Sequence, residues 1–197
     1  VGLVGSEMCI RDSSMGASDV VTKSSAEKAL SLCKKQKFDI VVCDLHLGVD
    51  KKNGFELIEE LRIKRLIKPT TVFILISADS ARPVVLGSIE RRPDDYLIKP
   101  FSQVQLKTRI TRAWQKRQFL GAVLQEVANE NINNAIDLCE DLISTPSPYK
   151  GTCEQLLVEL YLRLEQYDKA LDVLSPYLEG KPCLLYTSDA ADELSRG

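Results

Sequence analysis

Short apolar runs alternate with amphipathic stretches over the first 120 residues, and the alternation predicts strands and helices in turn. Residues 19–22 (DVVT) form a short strand candidate. Ser24 followed by Glu27 has the spacing of a capping box, opening a helix to Lys35 with Ala26, Ala29, Leu30 and Cys33 on one face. Residues 38–43 (FDIVVC) form a β-branched run that stops at Asp44. Residues 48–54 read as a loop, and residues 55–66 as a helix with Phe55, Ile58, Leu61 and Ile63 apolar. The run VFILI at 72–76 is too uniform for a half-exposed strand and predicts burial on both faces. A weaker helix at 83–90 leads to the strand DYLI at 95–98, which ends at Lys99 and Pro100. From Ser102 to about Leu120 no Gly or Pro interrupts a helical pattern. Strand and helix in strict alternation predict an α/β fold, a doubly wound parallel sheet with right-handed crossovers.

Beyond Leu120 the strand signals stop. Residues 134–143 and 153–178 are helical in pattern, separated by Ser144-Thr145-Pro146-Ser147-Pro148, a helix stop and turn. Ala135-Ile136-Asp137-Leu138 and Ala170-Leu171-Asp172-Val173 align at an offset of 35, which suggests an all-α helical-repeat region.

Composition adds exclusions. The 197 residues carry 26 Lys+Arg and 28 Asp+Glu, a formal net charge of −2, and are 44% hydrophobic. This is a globular balance with room for one good core and a small second module, and it excludes collagen-like or wholly disordered chains. No polyanion partner is favoured, and beyond Leu120 acids outnumber bases, for example Glu126, Glu130, Asp137, Glu140 and Asp141, so no nucleic acid is expected. Six cysteines show no CxxC pair, and the single His46 cannot complete a zinc site. They read as reduced, mostly buried thiols of a cytoplasmic protein. No apolar run is long enough to span a membrane. The ends stand apart: residues 4–13 (VGSEMCIRDS) and 183–193 (CLLYTSDAADE) follow neither periodicity and resemble translated sequencing adapters, so residues 1–13 and 183–197 are expected to be foreign or disordered tails that do not pack.

Three successive predicted strands end in Asp44, Ser77 and Lys99. In an open parallel sheet the carboxyl ends line one crevice, so a carboxylate, a hydroxyl and an ammonium converge there. Singly they would pass for a turn residue, a helix cap and a surface charge. Together they suit phosphoryl chemistry, the carboxylate as nucleophile, the lysine offsetting charge on the phosphoryl oxygens, and the hydroxyl bonding one of them.

At these residues the chain resembles the receiver domain of two-component response regulators, over residues 14–119. The resemblance rests on Val41-Val42-Cys43-Asp44-Leu45, on residues 55–62 (FELIEELR), on Ile76-Ser77-Ala78 and on residues 95–101 (DYLIKPF). It implies a flavodoxin-like receiver whose Asp44 is the phosphoacceptor, with Lys99 pairing the phosphate and Ser77 as switch hydroxyl. Tyr96 would turn inward on activation. Mg²⁺ would be the cofactor, held by Asp44, the backbone carbonyl of His46 and an acidic pair, and the Lys99–Pro100 bond would be cis. A histidine kinase or phosphotransfer protein would be the partner. Such a protein signals and is not an enzyme in its own right.

Two departures bear on this. Gly48 stands where the family has Pro, and Gly54 lies ten residues after Asp44 instead of eight. The first strand and its acidic pair are absent, Met15-Gly16 reading as the end of the first helix, so a truncated receiver with a gap in its sheet and no competence for Mg²⁺ is expected. Two rivals follow: a pseudo-receiver acting only through protein contacts, and a haloacid dehalogenase-type phosphatase, which would need an Asp where His46 stands.

Residues 120–182 resemble a tetratricopeptide repeat at Leu157, Tyr161, Tyr167, Ala170, Leu174 and Pro182. The resemblance implies two antiparallel helices and a protein partner. It departs at Glu165, where the turn usually has Gly, at Val158, and at Pro176 inside the second helix.

Overall fold

The computed structural model describes residues 2–4, 20–47, 53–78 and 92–178. The predicted helix at 83–90, Met15-Gly16 and most of both tails lie outside them. The chain divides into two compact units, Val1–Ala135 and Ile136–Gly197.

The first unit is built on a five-stranded parallel sheet: β1 (Gly2–Val4), β2 (Val21–Lys23), β3 (Ile40–Asp44), β4 (Val72–Ser77) and β5 (Asp95–Ile98), in the order β2-β1-β3-β4-β5. This is the doubly wound order in which the chain reverses beside the first strand. The expected gap in the sheet is therefore corrected. Gly2–Val4 lies between β2 and β3, with Leu3 opposite Thr22 on one side and Val42 on the other. Parallel strands separated by an empty slot would leave their facing N–H and C=O groups unpaired, and a three-residue strand satisfies them. Val4, expected to belong to a tail that does not pack, is part of this ladder.

Helices α1 (Ala26–Lys35) and α2 (Gly54–Ile63) cover one face, burying Ala29, Leu30, Leu57 and Leu61 against Val41, Cys43, Phe73 and Leu75. Helix α3 (Gln103–Phe119) covers the other, burying Leu106, Ile110 and Ala113 against Val42, Val72, Ile74 and Ile76. All six residues of β4 are buried, as its uniform apolar run requires. The cap of α1 is Ser25, whose side chain accepts from Lys28 N at 3.4 Å, one residue on from the expected Ser24. Ser24 instead accepts from Lys28 Nζ. Capping boxes do form at Asn53/Glu56 on α2 and at Ser102/Gln105 on α3. The uninterrupted pattern from Ser102 is one helix, closed at Leu120 and followed by α4 (Gly121–Ala128).

Helix α5 spans Ile132–Ser144, and the second unit continues with α6 (Lys150–Arg163) and α7 (Tyr167–Leu178). Tyr161 and Leu157 of α6 are buried, as is Ala170 of α7. The connection turns at Glu165, φ 57°, with Gln166 N bonded to Tyr161 O at 2.9 Å. That is a left-handed helix stop at the position expected to favour Gly. Pro176 does lie inside α7, and Ser175 Oγ donates to Asp172 O at 3.0 Å, the carbonyl that a proline at 176 cannot bond. No helix among the described residues is long and apolar enough to cross a membrane. Cys33, Cys43, Cys139 and Cys153 are free and buried, as their sequence setting predicts.

Candidate functional site

Asp44, Ser77 and Lys99 meet at the carboxyl edge of the sheet, as the strand pattern predicts. Asp44 closes β3 opposite Ile76, and Ser77, the next residue of β4, is opposite Ile98 of β5. Lys99 N donates to Ser77 O at 2.8 Å, which sets the lysine beside the end of β4. Lys99 Nζ lies 2.6 Å from Asp44 Oδ2, a charge-assisted bond with side chains 39% and 15% exposed. The other carboxylate oxygen, Oδ1, accepts from His46 N at 3.2 Å. The carboxylate is thus held at both oxygens and open to solvent on one side. Ser77 is buried, and the Lys99–Pro100 bond is cis.

The approach of α2 to this edge depends on Gly54. Its N–H donates to Leu45 O at 2.9 Å, and a Cβ there would stand 2.9 Å from the Asp44 carbonyl oxygen and 2.6 Å from Leu75 Cδ2. The two-residue difference in loop length therefore leaves Gly54 seated against the acceptor strand. Cys43, just before Asp44, is fully buried and donates to Asp44 O at 3.2 Å. Burial, reinforced by the Asp44 charge, pushes its thiol up and keeps it neutral.

Tyr96 of β5 packs toward α2, its ring 5.9 Å from that of Phe55. Its hydroxyl is buried and has no hydrogen-bond partner among the described residues. Burial raises its pKa to about 12, opposed by Arg92.

Sequence reasoning missed a buried ionic centre just before β5. Asp94 Oδ1 accepts from Arg117 Nε at 2.6 Å, and Oδ2 from Phe73 N at 2.8 Å. Arg117 also donates to Pro69 O at 3.1 Å, while Arg62 and Lys116 approach Asp94 to 4.0 Å. Arg62 stands on α2 and Arg117 on α3, so one carboxylate ties together helices on opposite faces of the sheet. The signal was present: Leu106, Ile110, Ala113 and Arg117 share one helical face, and a cation continuing an apolar face needs a buried partner.

Receiver domains typically bind Mg²⁺ for phosphorylation. Among the described residues no group of three or more His, Cys, Asp or Glu side chains could hold a metal ion. At this edge they offer the Asp44 carboxylate, already paired with Lys99, and the His46 backbone. That falls short of the oxygen set a Mg²⁺ ion takes. Val4, the last residue of β1, is opposite Cys43.

The response regulator receiver domain model matches residues 6–111, and the chain belongs to that family. It is 32% identical over 142 residues, 72% of its length, to the alkaline phosphatase synthesis transcriptional regulatory protein PhoP of Bacillus subtilis. It is 33% identical over 111 residues, 56% of its length, to the alginate biosynthesis transcriptional regulatory protein AlgB of Pseudomonas putida. The matched stretches span 56% and 23% of those proteins. The chemotaxis response regulator CheY4 of Vibrio cholerae aligns over 57% of this chain and 95% of its own, at 20% identity and a TM-score of 0.48.

Proposed function

We propose that this receiver takes a phosphoryl group on Asp44 from the phosphohistidine of a histidine kinase or phosphotransfer protein and signals through residues 120–182 to a protein partner. The observation that carries the reading is the Lys99–Asp44 contact of 2.6 Å at the carboxyl edge of a parallel sheet. A carboxylate oxygen of Asp44 attacks phosphorus as the P–N bond to imidazole breaks, the bonding pair leaving with the ring nitrogen. Lys99 then shifts from the carboxylate toward the phosphoryl oxygens, and Ser77 bonds one of them, which pulls on the end of β4. Tyr96, whose buried hydroxyl has no hydrogen-bond partner among the described residues, is the side chain whose movement that pull would favour.

The receiver is assigned to residues 14–119 together with β1, and the output to residues 120–182, a tetratricopeptide-like region. The names of the relatives suggest a DNA-binding output. The charge of this one argues for protein instead: residues 136–178 carry eight acidic side chains against three basic ones, the wrong sign for a phosphate backbone. A second reading, a pseudo-receiver that works only through contacts, is favoured by the single described carboxylate at the site.

The test is transfer of labelled phosphate from a phosphohistidine donor protein. Label that disappears in Asp44→Asn supports a phosphoacceptor, and label that persists there removes Asp44 from the role.

A further inference from the structure

Helix α7 bears two apolar rows of different fate. Ala170 is buried, and Tyr177, though 56% exposed, bonds Glu154 of α6, so this side faces the other helix of the hairpin. Tyr167, Leu171, Leu174 and Leu178 are instead 59%, 57%, 37% and 62% exposed. Their separations of four, three and four residues are those of a seam between two packed helices. Asp168 and Asp172 lie one position on from Tyr167 and Leu171, so they edge the seam on the side away from α6. The one basic residue of α7, Lys169, points elsewhere, with its ammonium 5.5 Å from the centre of the Tyr161 ring.

We infer that this face docks an amphipathic helix of another protein whose apolar row meets Tyr167, Leu171, Leu174 and Leu178 and whose flanks are basic. The inference rests on the reading of the helical region as a protein-binding output and names the partner's chemistry. The spacing asks for a helix, and the charge chooses its sign. A second copy of this chain seated on the same seam would bring Asp168 and Asp172 against an equally acidic edge. A basic helix would gain from the same field.

The probes are two fluorescein-labelled synthetic helices with leucine at the seam positions, one with lysine and the other with glutamate elsewhere, titrated with the full chain by anisotropy at low and high salt. The lysine helix should bind, about tenfold or more weaker to Leu171→Gln with Leu174→Gln. Asp168→Asn with Asp172→Asn, which leaves every apolar contact in place, should weaken it about threefold and flatten its salt dependence. The inference is overturned if the lysine helix does not bind, if the glutamate helix binds equally, or if the leucine variants bind as before. Dimers in sedimentation that disperse in the leucine variants would give the seam to a second copy and overturn it too. Peptide binding without phosphorylation of Asp44 would sink the receiver reading alone, and phosphorylation without peptide binding would sink this inference alone.

Discussion

Arg117 Nε donates to Asp94 Oδ1 at 2.6 Å, with the two side chains 4% and 2% exposed. A buried pair of this kind is costly to break from one side, because the survivor keeps its desolvation penalty. Asp94→Ala strands Arg117 and also removes the acceptor of Phe73 N, so a loss of about 3–5 kcal/mol is expected in urea unfolding. Arg117→Met should cost less, since Asp94 keeps Phe73 N and the nearby Arg62 and Lys116. Equal costs would show that Phe73 N and the other two cations contribute nothing.

Two glycines should respond oppositely to alanine. At Gly54 a Cβ would press on the Asp44 carbonyl at 2.9 Å, and Gly54→Ala is expected to lose about 1–3 kcal/mol. At Gly121 the nearest atom to a new Cβ is Thr70 Cγ2 at 3.5 Å, an ordinary contact. Gly121→Ala should therefore gain up to about 1 kcal/mol from helix propensity. Thermal unfolding of both variants reads the difference.

Glu165 holds φ at 57°, a conformation glycine adopts without the clash that Cβ brings. Glu165→Gly is expected to raise stability by about 0.5–1 kcal/mol, measured as a higher unfolding midpoint. A fall would mean that the Glu165 side chain contributes more than the backbone strain costs.

Tyr96 and Tyr161 both have pKa values raised to about 12, chiefly by burial, with Glu140 adding to the shift at Tyr161. A phenol with a raised folded-state pKa contributes stability that is fully present below about pH 10 and is lost as pH rises toward 12. Stability should fall across that window, and Tyr161→Phe should flatten part of the fall. An unchanged pH profile in that variant would contradict the assignment.

The site was legible because strand ends are marked in one dimension. Asp44, Ser77 and Lys99 each end an apolar run, and a parallel sheet brings such ends together. The central strand was not legible, since Gly2–Val4 is too short for a period and is recognised only by the backbone groups of β2 and β3 on either side. Helix α4 was missed for a related reason: eight residues starting with Gly carry little propensity, and Val123, Leu124 and Val127 become a helix by burial. The Asp94–Arg117 pair joins residues 23 apart, a relation that periodicity does not encode.

On the proposed reading Asp44 is the acceptor, gripped by Lys99, and among the described residues it has no group of carboxylates beside it that could hold Mg²⁺. The most direct measurement compares phosphohistidine-donated label, with Mg²⁺ present, on the chain as it stands, on Gly5→Asp with Ser6→Asp, and on that double variant carrying Asp44→Asn. Those two positions follow Val4 in sequence, Val4 is opposite Cys43, and the substitutions add two carboxylates to the chain. Label should appear on the double variant roughly tenfold or more faster than on the unaltered chain and vanish with Asp44→Asn. Equal labelling of all three, or none on the double variant, would contradict a phosphoacceptor at Asp44 that is short of metal-binding charge.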